Sequence, residues 1–424
     1  MRTREQIWQV EKLVPGGAAM ARLPDGSVGF VEGALPAERV LVDMVTHRGG
    51  FTQARLLRVL TPSPERTSPP CPIAERCGGC DWQHMSYAAQ GAQKAELIAE
   101  ALRRTGGLQQ LPPIEIVPSA SQLGYRSRIR LHIDEQGQLG FFEKRSHRVI
   151  DVTSCPVARP ELDQALAQFR RAAAEMPRLL RLFEEVELRW SPLEPSRAVC
   201  LKARGEPAPV RAKAAALIER LQRDFSVAIS GVRADFVQRY PLSETLSLPV
   251  SPHAFVQVNW DVNLALVERV VEGARARGVR RFLDAYAGAG NFTLPLAAAG
   301  LSGVSVEAVA AASRAARAVL SEHGFSGVQA LSADAAEAFA SLLAQGEQFD
   351  LIVLDPPRAG AAPLLGPLSA LSAPHVAYCS CDPVTLARDL KVLCESSYQI
   401  ESITGFDMFP GTHHVETLVW LRRR

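Results

Sequence analysis

Cys381 is the residue whose type and setting in this chain most favour nucleophilic chemistry. The apolar run 375–378 predicts a buried strand, and Pro383 forces a turn shortly after it. A helix is expected to begin near Thr385, which would place the thiol at the rim of a sheet beside helix N-terminal amides. Such amides favour the thiolate, the nucleophilic form of cysteine. The competing interpretation is a small buried cysteine of the core.

Acidic residues end the predicted strands that precede this thiol. From residue 251 strands alternate with helices, a pattern typical of a doubly wound, mostly parallel α/β sheet. Ligands of such sheets bind at the carboxyl ends of the strands. Several acids and one thiol are therefore expected along one edge. The predicted strands are 281–287, 303–307, 328–334, 349–355, 375–381, 398–409 and 415–421, of which the first four end at Asp284 to Tyr286, Glu307, Asp334 and Asp355.

The loop after the first of these strands predicts a nucleoside site. It carries Gly288 and Gly290, but Thr293 stands where a dinucleotide fingerprint has its third glycine, and no Gly-Lys-Ser/Thr follows. Glu307 follows Asp284 at about the spacing of an acid that binds ribose hydroxyls. These features suit a nucleoside without pyrophosphate, and S-adenosylmethionine fits them.

Four of the eight cysteines form a pattern typical of metal binding. Cys71, Cys77 and Cys80 have the spacing C-x5-C-x2-C, and Cys155 lies far downstream. Structural zinc sites usually contain two C-x2-C pairs, whereas this chain has one, so an iron–sulfur cluster is favoured. Zinc, or four unrelated cysteines, are the alternatives that the pattern leaves open.

Composition restricts the possible partners of the chain. Its 424 residues carry a formal net charge of +2, so any nucleic-acid surface must be a local patch. A polar N-terminus and the lack of a long apolar segment predict no signal peptide and no membrane span. We therefore expect a cytoplasmic protein, monomeric and without an obligate protein partner.

The chain is predicted to have three parts. Residues 1–60 look all-β, and the segment 25–36 resembles a TRAM domain, a small OB-like barrel of RNA-modifying enzymes. Barrels of this type bind oligonucleotides. A proline-rich linker at 61–70 opens a mixed α/β central part, 61–250, with a helix at 86–105, and residues 251–424 form the catalytic part. The arginines that are candidates for an RNA-binding face of the barrel are Arg22, Arg48, Arg55 and Arg58.

The segment 125–150 of the central part reads as a basic hairpin. Arg126, Arg128 and Arg130 are expected on one face of a strand because strand side chains alternate with period two. Aromatic rings for stacking and arginines for phosphates suit single-stranded RNA. A polar strand face balanced by nearby acids is the alternative. The cluster also contains Lys144, Arg145, His147 and Arg148, with Tyr125, Phe141 and Phe142 between them.

Five motifs, in order along nearly the whole chain, resemble the RNA uracil-5-methyltransferase family. They are Phe-Val-Gln-Val-Asn at 255–259, the segment 284–297, Asp-Pro-Pro-Arg-Ala-Gly at 355–360, Ser-Cys-Asp-Pro at 380–383, and Asp-Met-Phe-Pro at 407–410 with His-Val-Glu at 414–416. The third motif and the four cysteines look most like the iron–sulfur-containing 23S ribosomal RNA branch. A Rossmann-like methyltransferase domain, after a TRAM barrel and an iron–sulfur central domain, is the fold that this resemblance implies.

The resemblance also implies roles for single residues. Cys381 would attack C6 of a uracil so that negative charge reaches C5, which then accepts the methyl group of S-adenosylmethionine. Glu416 would remove the C5 proton, and it reaches the same edge if its strand is antiparallel. A [4Fe–4S] cluster would be bound by Cys71, Cys77, Cys80 and Cys155. The residues implied around the cofactor and the target base are Gln257, Tyr286, Asn291, Glu307, Asp334 and Asp355.

One departure and three alternatives accompany this interpretation. Asp382 stands where the family usually has asparagine, and its charge is expected to raise the pKa of the neighbouring thiol. An amino-group methyltransferase is the enzymatic rival, but Arg358 occupies the position where that class needs an aromatic residue. A non-catalytic RNA-binding factor is the non-enzymatic rival. Within the preferred family, uridine in the T-loop of transfer RNA is the alternative substrate to 23S ribosomal RNA.

Overall fold

The computed structural model describes residues 5–424, except for the side chains of His47 and Arg48. The expectation that Arg48 contacts RNA therefore lies outside the described residues. The strands are β1 Glu5–Leu13, β2 Ala19–Arg22, β3 Val28–Val31, β4 Arg39–Arg48, β5 Phe51–Thr61, β6 Ile114–Val117, β7 Arg128–Ile133, β8 Leu139–Phe142, β9 Val149–Asp151, β10 Phe183–Trp190, β11 Arg197–Ala203, β12 Ser226–Ile229, β13 Gln238–Pro241, β14 Ser247–Val250, β15 Arg281–Ala285, β16 Ser302–Glu307, β17 Val328–Ser332, β18 Leu351–Leu354, β19 His375–Ser380, β20 Tyr398–Phe406 and β21 Glu416–Arg423.

Eleven α-helices and one short 3₁₀ turn, Ala362–Leu364, connect these strands within the described part of the chain. No helix between residues 5 and 424 is long and apolar enough to cross a membrane. The helices are α1 Tyr87–Arg104, α2 Pro160–Glu175, α3 Pro177–Leu180, α4 Pro207–Lys213, α5 Ala215–Gln222, α6 Trp260–Ala276, α7 Thr293–Ala298, α8 Ala310–Glu322, α9 Ala335–Ala344, α10 Leu365–Leu371 and α11 Pro383–Ser396.

The N-terminal strands close into a five-stranded barrel in the order β1-β2-β3-β5-β4. The all-β prediction for this region is confirmed. Its core is completed from outside, because Trp82, which follows the proline-rich segment, is fully buried among the barrel residues. The indole nitrogen of Trp82 donates a hydrogen bond to the carbonyl of Gly17, 3.1 Å away.

The middle of the chain forms a six-stranded sheet in the order β12-β11-β10-β7-β8-β9. Strands β7, β8 and β9 are the predicted basic hairpin, in antiparallel register. Helices α2 and α5 pack on this sheet around Phe169, Leu217 and Leu221, which are fully buried.

The last third of the chain builds an eight-stranded sheet in the order β17-β16-β15-β18-β19-β21-β20-β6. Neighbouring residues of one strand pack on opposite faces: Phe282, Leu351 and Val353 belong to one apolar cluster, and Leu283, Ile352 and Leu354 to another. Helices cover both faces, so the strands are apolar on both sides. The predicted doubly wound sheet is confirmed, with strand ends shifted by a few residues.

The sequence left the direction of the last strand open and did not place β6 in this sheet. Strand β21 runs antiparallel between β19 and β20. Strand β6, from the part of the chain assigned to the central region, pairs in parallel with β20 at the sheet edge. The eight-stranded sheet therefore includes a strand that precedes residue 250, and the division into 1–60, 61–250 and 251–424 stays a prediction.

Candidate active site

Cys381 lies at the carboxyl edge of the sheet, where β19 ends at Ser380 and α11 begins at Pro383. Its side chain is half-buried and lines a cavity of 190 Å³. Pro15 and Gly16 of the barrel form part of the same wall. The remaining lining residues are Leu97, Arg358, Asp382, Pro383, Val384, His413, His414 and Val415.

Glu416 reaches the same edge because β21 is antiparallel to β19. Thr417 pairs with Ser380 across the two strands, so Glu416 lies beside Cys381 in the register. The carboxyl group is buried, and among the described residues its Oε1 has no hydrogen-bond partner. Burial, together with the neighbouring charge of Asp355, raises the pKa of Glu416 well above the usual value. A carboxyl group that holds its proton more tightly than an exposed glutamate therefore lies next to the thiol.

The thiol of Cys381 is protonated in the free protein. Burial raises its pKa to about 11; Glu416 and Asp355 also raise it, and Arg358 lowers it. The expectation that helix N-terminal amides favour the thiolate is wrong for this state. Those amides are engaged elsewhere: Oδ1 of Asp382 accepts hydrogen bonds from the backbone nitrogens of Val384 and Thr385, at 2.9 and 3.0 Å. Asp382 is thus the helix N-cap.

The nucleoside loop turns sharply after β15. Tyr286, Gly288 and Gly290 all have positive φ, at 62°, 57° and 102°. The carboxylate of Glu307 accepts hydrogen bonds from the backbone nitrogens of Gly288, at 2.9 Å, and Val309, at 2.7 Å. Glu307 therefore connects the ends of two neighbouring strands and fixes the turn.

Asp284 explains why threonine replaces the third glycine of the fingerprint. The hydroxyl of Thr293 donates a hydrogen bond to Oδ2 of Asp284 across 2.5 Å. Asp284 is fully buried, and burial raises its pKa to about 7, with Asp355 and Glu307 adding to the rise. The carboxyl groups of Asp284, Glu307 and Asp355 are thus electrostatic neighbours at one edge, as the strand pattern predicts.

The remaining predicted cofactor residues take differing positions. The side-chain amides of Asn291 and Asn263 exchange two hydrogen bonds, at 2.9 and 3.0 Å. Asp334 is exposed and caps α9. Burial raises the pKa of the Tyr286 hydroxyl, and the charge of Asp334 adds to the rise. Gln257 is buried in the segment before α6. In the structure Asp334 therefore holds the start of α9 in place, and Asn291 holds the side chain of Asn263.

The four cysteines of the metal pattern line one cavity of 160 Å³, together with Arg126. Cys77 raises the pKa of the Cys80 thiol, and Cys80 raises that of Cys155, so the three thiols are close neighbours. The guanidinium of Arg126, which is partly buried, lies beside Cys80 and Cys155. No three His, Cys, Asp or Glu side chains among residues 5–424 are arranged closely enough to hold a metal ion. Four thiols beside a cation nevertheless match the donor set of an anionic, thiolate-bound cluster.

Several residues of functional interest were missed in the sequence. Arg358 is the cation beside Cys381, and its position just after Pro-Pro at a strand end is a signal that was available. Asp81 carried no such signal in the sequence. Its Oδ2 lies 2.5 Å from Nδ1 of His413, and this contact connects the cysteine loop to the wall of the Cys381 cavity. Glu187 accepts hydrogen bonds from Arg128 and Arg130, so part of the predicted basic face is neutralised by an acid.

Comparison with known proteins identifies the family. A family model described as tRNA (Uracil-5-)-methyltransferase matches residues 244–424. The 23S rRNA (uracil(1939)-C(5))-methyltransferase RlmD of Vibrio parahaemolyticus is 32% identical over 435 residues, with 99% of this chain and 96% of the relative covered. The chain belongs to the RNA uracil-5-methyltransferase family.

Other members of this RNA uracil-5-methyltransferase family agree in extent and fold. The enzyme of the same name from Chromohalobacter salexigens is 34% identical, covering 98% of this chain and 88% of the relative. The crystal structure of Pyrococcus abyssi tRNA (uracil-54, C5)-methyltransferase, in complex with S-adenosyl-L-homocysteine, superposes with a TM-score of 0.75. It covers 98% of this chain and all of the other, at 24% identity, which supports the fold.

Proposed function

We propose that this protein methylates C5 of a uridine in 23S ribosomal RNA, with S-adenosylmethionine as the methyl donor. The observation that carries the proposal is the register of β19 and β21, which sets the buried carboxyl of Glu416, whose Oε1 has no hydrogen-bond partner among the described residues, beside the cavity-lining thiol of Cys381. The relatives that match over almost the whole chain are named for this RNA, which favours it over transfer RNA.

The reaction follows from the chemistry of the two groups. As a thiolate, Cys381 forms a bond to C6 of the uracil, and the electron pair of the 5,6 double bond moves toward C5 and O4. C5 then accepts the methyl group. Glu416 takes the C5 proton, the C5–C6 double bond re-forms, and the C6–sulfur bond breaks to release the thiolate. Arg358, the cation that lowers the pKa of Cys381, stabilises the charge needed for attack.

The cofactor site is proposed at the carboxyl ends of β15 to β18. When bound there, S-adenosylmethionine supplies an electrophilic methyl group. Glu307 is suited to ribose hydroxyls because it already organises the glycine turn through two backbone amides. The other residues proposed around the cofactor and the base are Gln257, Tyr286, Asn291, Asp334 and Asp355.

We also infer that Cys71, Cys77, Cys80 and Cys155 bind a [4Fe–4S] cluster, because all four line one cavity beside Arg126. The cluster would cross-link three segments of the central region, a structural role, since methyl transfer needs no electron. The barrel, interpreted as a TRAM domain, and the hairpin β7–β9 would contact the RNA.

A trapping experiment tests the nucleophile, the reaction and the substrate together. Fragments of 23S and transfer RNA that contain 5-fluorouridine are incubated with the anaerobically purified protein and S-adenosylmethionine. Fluorine at C5 cannot leave as a proton, so a methylated adduct accumulates and maps by mass spectrometry to Cys381. The matched controls are Cys381→Ser, which forms no adduct, and Cys394→Ser on α11, which forms it normally.

The outcomes separate the alternatives. An adduct with a T-loop fragment alone would replace ribosomal RNA by transfer RNA as substrate. Methylation that persists in Cys381→Ala would favour the amino-group methyltransferase. Glu416→Gln is expected to form adduct with ordinary uridine and to turn over at least about 100-fold more slowly, because the C5 proton has no acceptor.

A further inference from the structure

We propose that a second RNA base, distinct from the target uridine, binds in an aromatic cleft at the tip of the central hairpin. The cleft has a volume of 480 Å³ and is open to the surface. None of its lining residues borders the Cys381 cavity. Its walls, here called the aromatic cleft, are formed by Gly78, Gly79, His132, Phe141, Phe142, Glu143, Arg145, Ser146 and His147.

Three rings of the aromatic cleft are already arranged for stacking. The rings of His132 and Phe142 are parallel within 10°, with centroids 3.6 Å apart. The exposed ring of His147 meets Phe142 at 85°, with centroids 5.2 Å apart. Phe142 and His132 are only half-buried. Aromatic surface that is ordered yet accessible to solvent is what proteins offer to the face of an unpaired base.

The backbone holds this arrangement against the cysteine loop. The nitrogen of Gly78 donates a hydrogen bond to the carbonyl of Phe142 at 3.0 Å, and Lys144 donates to Arg76 at 2.8 Å. A Cβ at Gly78 would meet that carbonyl at 3.3 Å, so glycine permits the close approach. Gly79 and Phe141 line both the aromatic cleft and the cysteine cavity. The two sites therefore share a wall.

The charge around the aromatic cleft favours a nucleic acid over a peptide. Arg76, Lys144, Arg145 and Arg148 surround it, opposed by the two carboxylates of Glu143 and Glu32. Glu143 pairs with Arg76 and Arg148, and Glu32 with Arg145. The excess positive charge complements a phosphate on either side of an inserted base. An unpaired nucleobase of the RNA substrate is the occupant that matches both rings and charge.

This inference rests on the proposed function, because it takes the substrate to be RNA. It adds a point of recognition away from the reacting uridine, so the two bases would be held at once by different regions. Loss of the aromatic cleft should weaken RNA binding and leave the chemical step intact.

The experiment compares variants of the full-length protein, each purified with the proposed iron–sulfur cluster bound at its four cysteines. Phe142→Leu and His147→Ala remove aromatic surface, and Phe142→Tyr restores a ring. His323→Ala is the matched control because His323 forms another His–Phe stack, with Phe325, outside the aromatic cleft. The readouts are the Kd for a fluorescent 23S RNA fragment, the Kd for S-adenosylmethionine, and kcat at saturating RNA.

We expect Phe142→Leu to weaken RNA binding about tenfold, the size of one lost base stack, with kcat and cofactor affinity unchanged. Phe142→Tyr and His323→Ala should bind like the wild type. A series of RNA fragments, each with one abasic site, then locates the base. One abasic position should weaken binding to the wild type and have no further effect in Phe142→Leu.

Unchanged RNA affinity in Phe142→Leu and His147→Ala, with normal adduct formation at Cys381, would overturn the proposal that a base binds in the aromatic cleft. The proposed function would still stand. A parallel loss of S-adenosylmethionine affinity would also overturn base binding in the aromatic cleft, because the rings would then be structural. A wild-type protein that binds none of the fragments would overturn both proposals. Additive losses at every abasic position would show that Phe142 contacts no particular base.

Discussion

The protonation state of Cys381 is set by the balance of three charged neighbours and burial. Glu416 and Asp355 disfavour the thiolate, whereas Arg358 favours it. Because Arg358 is the one of these three neighbours that favours the thiolate, its removal should slow attack on the base most.

Arg358→Ala should slow adduct formation about tenfold near neutral pH, because the loss of an adjacent cation raises the pKa of the thiol further. The rate should rise with pH in both proteins, since burial raises the pKa of the wild-type thiol to about 11, and the rise should be displaced to higher pH in the variant. Arg358→Lys, which keeps the charge, should stay close to the wild type. Adduct formation on 5-fluorouridine RNA, measured as a function of pH at saturating RNA, checks this. An unshifted profile in Arg358→Ala would contradict it.

Glu416→Gln should stabilise the protein against unfolding while it abolishes turnover. The folded state raises the pKa of Glu416, so it binds a proton that the unfolded chain releases. Stability is therefore lost as pH rises from the ordinary glutamate value toward the folded pKa, and the neutral amide avoids that loss. Thermal unfolding at acidic and neutral pH should show a higher Tm for the variant at neutral pH, with a smaller gap in acid. An equal or lower Tm at neutral pH would contradict the expected direction.

Single residues were predicted from the sequence where a strand end decides their position. Cys381, Asp284, Glu307 and Asp355 gather at one edge because parallel strands deliver them there. The sequence indicated two opposite influences on the pKa of Cys381, the helix amides and the charge of Asp382, whereas the largest influence, burial, raises it and depends on tertiary packing. A side chain also takes the helix amides. Asp382 does so, and its identity alone does not reveal whether it faces the thiol or caps the helix.

At the level of elements, α1 is a helix of the central region that packs on the catalytic sheet. Lys94 on α1 is fully buried and pairs with Asp407; it also donates a hydrogen bond to the carbonyl of Phe409 at 3.1 Å. Residues 407–416 lead directly to Glu416. The helix therefore anchors the loop that carries the proposed base.

Lys94→Met should destabilise the protein by about 3–5 kcal/mol, because it leaves the buried carboxylate of Asp407 unpaired. The double variant Lys94→Met/Asp407→Leu should recover much of that loss. Urea unfolding of the three variants and the wild type measures the coupling. A single variant as stable as the wild type would show that Asp407 finds another partner.

Elements were predictable where periodicity is strong, as for α1 and the strands β15 to β19. Sequence patterns did not place β6 in the catalytic sheet, since its four residues carry no sign of their partner. Likewise, the sequence did not show that Glu187, from a distant segment, pairs with Arg128 and Arg130 of the basic hairpin. Such pairings arise from packing between segments that are distant in the chain.

At the scale of the whole molecule, the barrel and the catalytic region meet around Asp81 and Trp82. A Cβ at Gly17 of the barrel would lie within 2.9 Å of the His413 ring and closer still to Asp81. Trp82 fills the barrel core, while its backbone nitrogen donates to the carbonyl of Gly411 at 2.9 Å. The barrel is thus fastened to the loop that bounds the Cys381 cavity.

Trp82→Ala should cost about 3–5 kcal/mol, because it opens a large cavity in the barrel core. Trp82→Phe should cost far less, about 1 kcal/mol for the hydrogen bond to Gly17 and little for packing. Chemical denaturation, with limited proteolysis to locate the loosened region, measures both. Cleavage confined to the catalytic region in Trp82→Ala would contradict the assignment of Trp82 to the barrel.

The position of β6 at the edge of the eight-stranded sheet has a consequence for biosynthesis. Ile114 pairs with Ile403, so an early-made strand must wait until a segment far downstream has left the ribosome. Until then the apolar residues of β6 must be buried by other segments, and Lys94 on α1 lacks its partner Asp407. The barrel and the six-stranded sheet contain only earlier segments and can form first. Folding of the catalytic sheet is therefore expected to be slow, limited by contacts between distant parts of the chain.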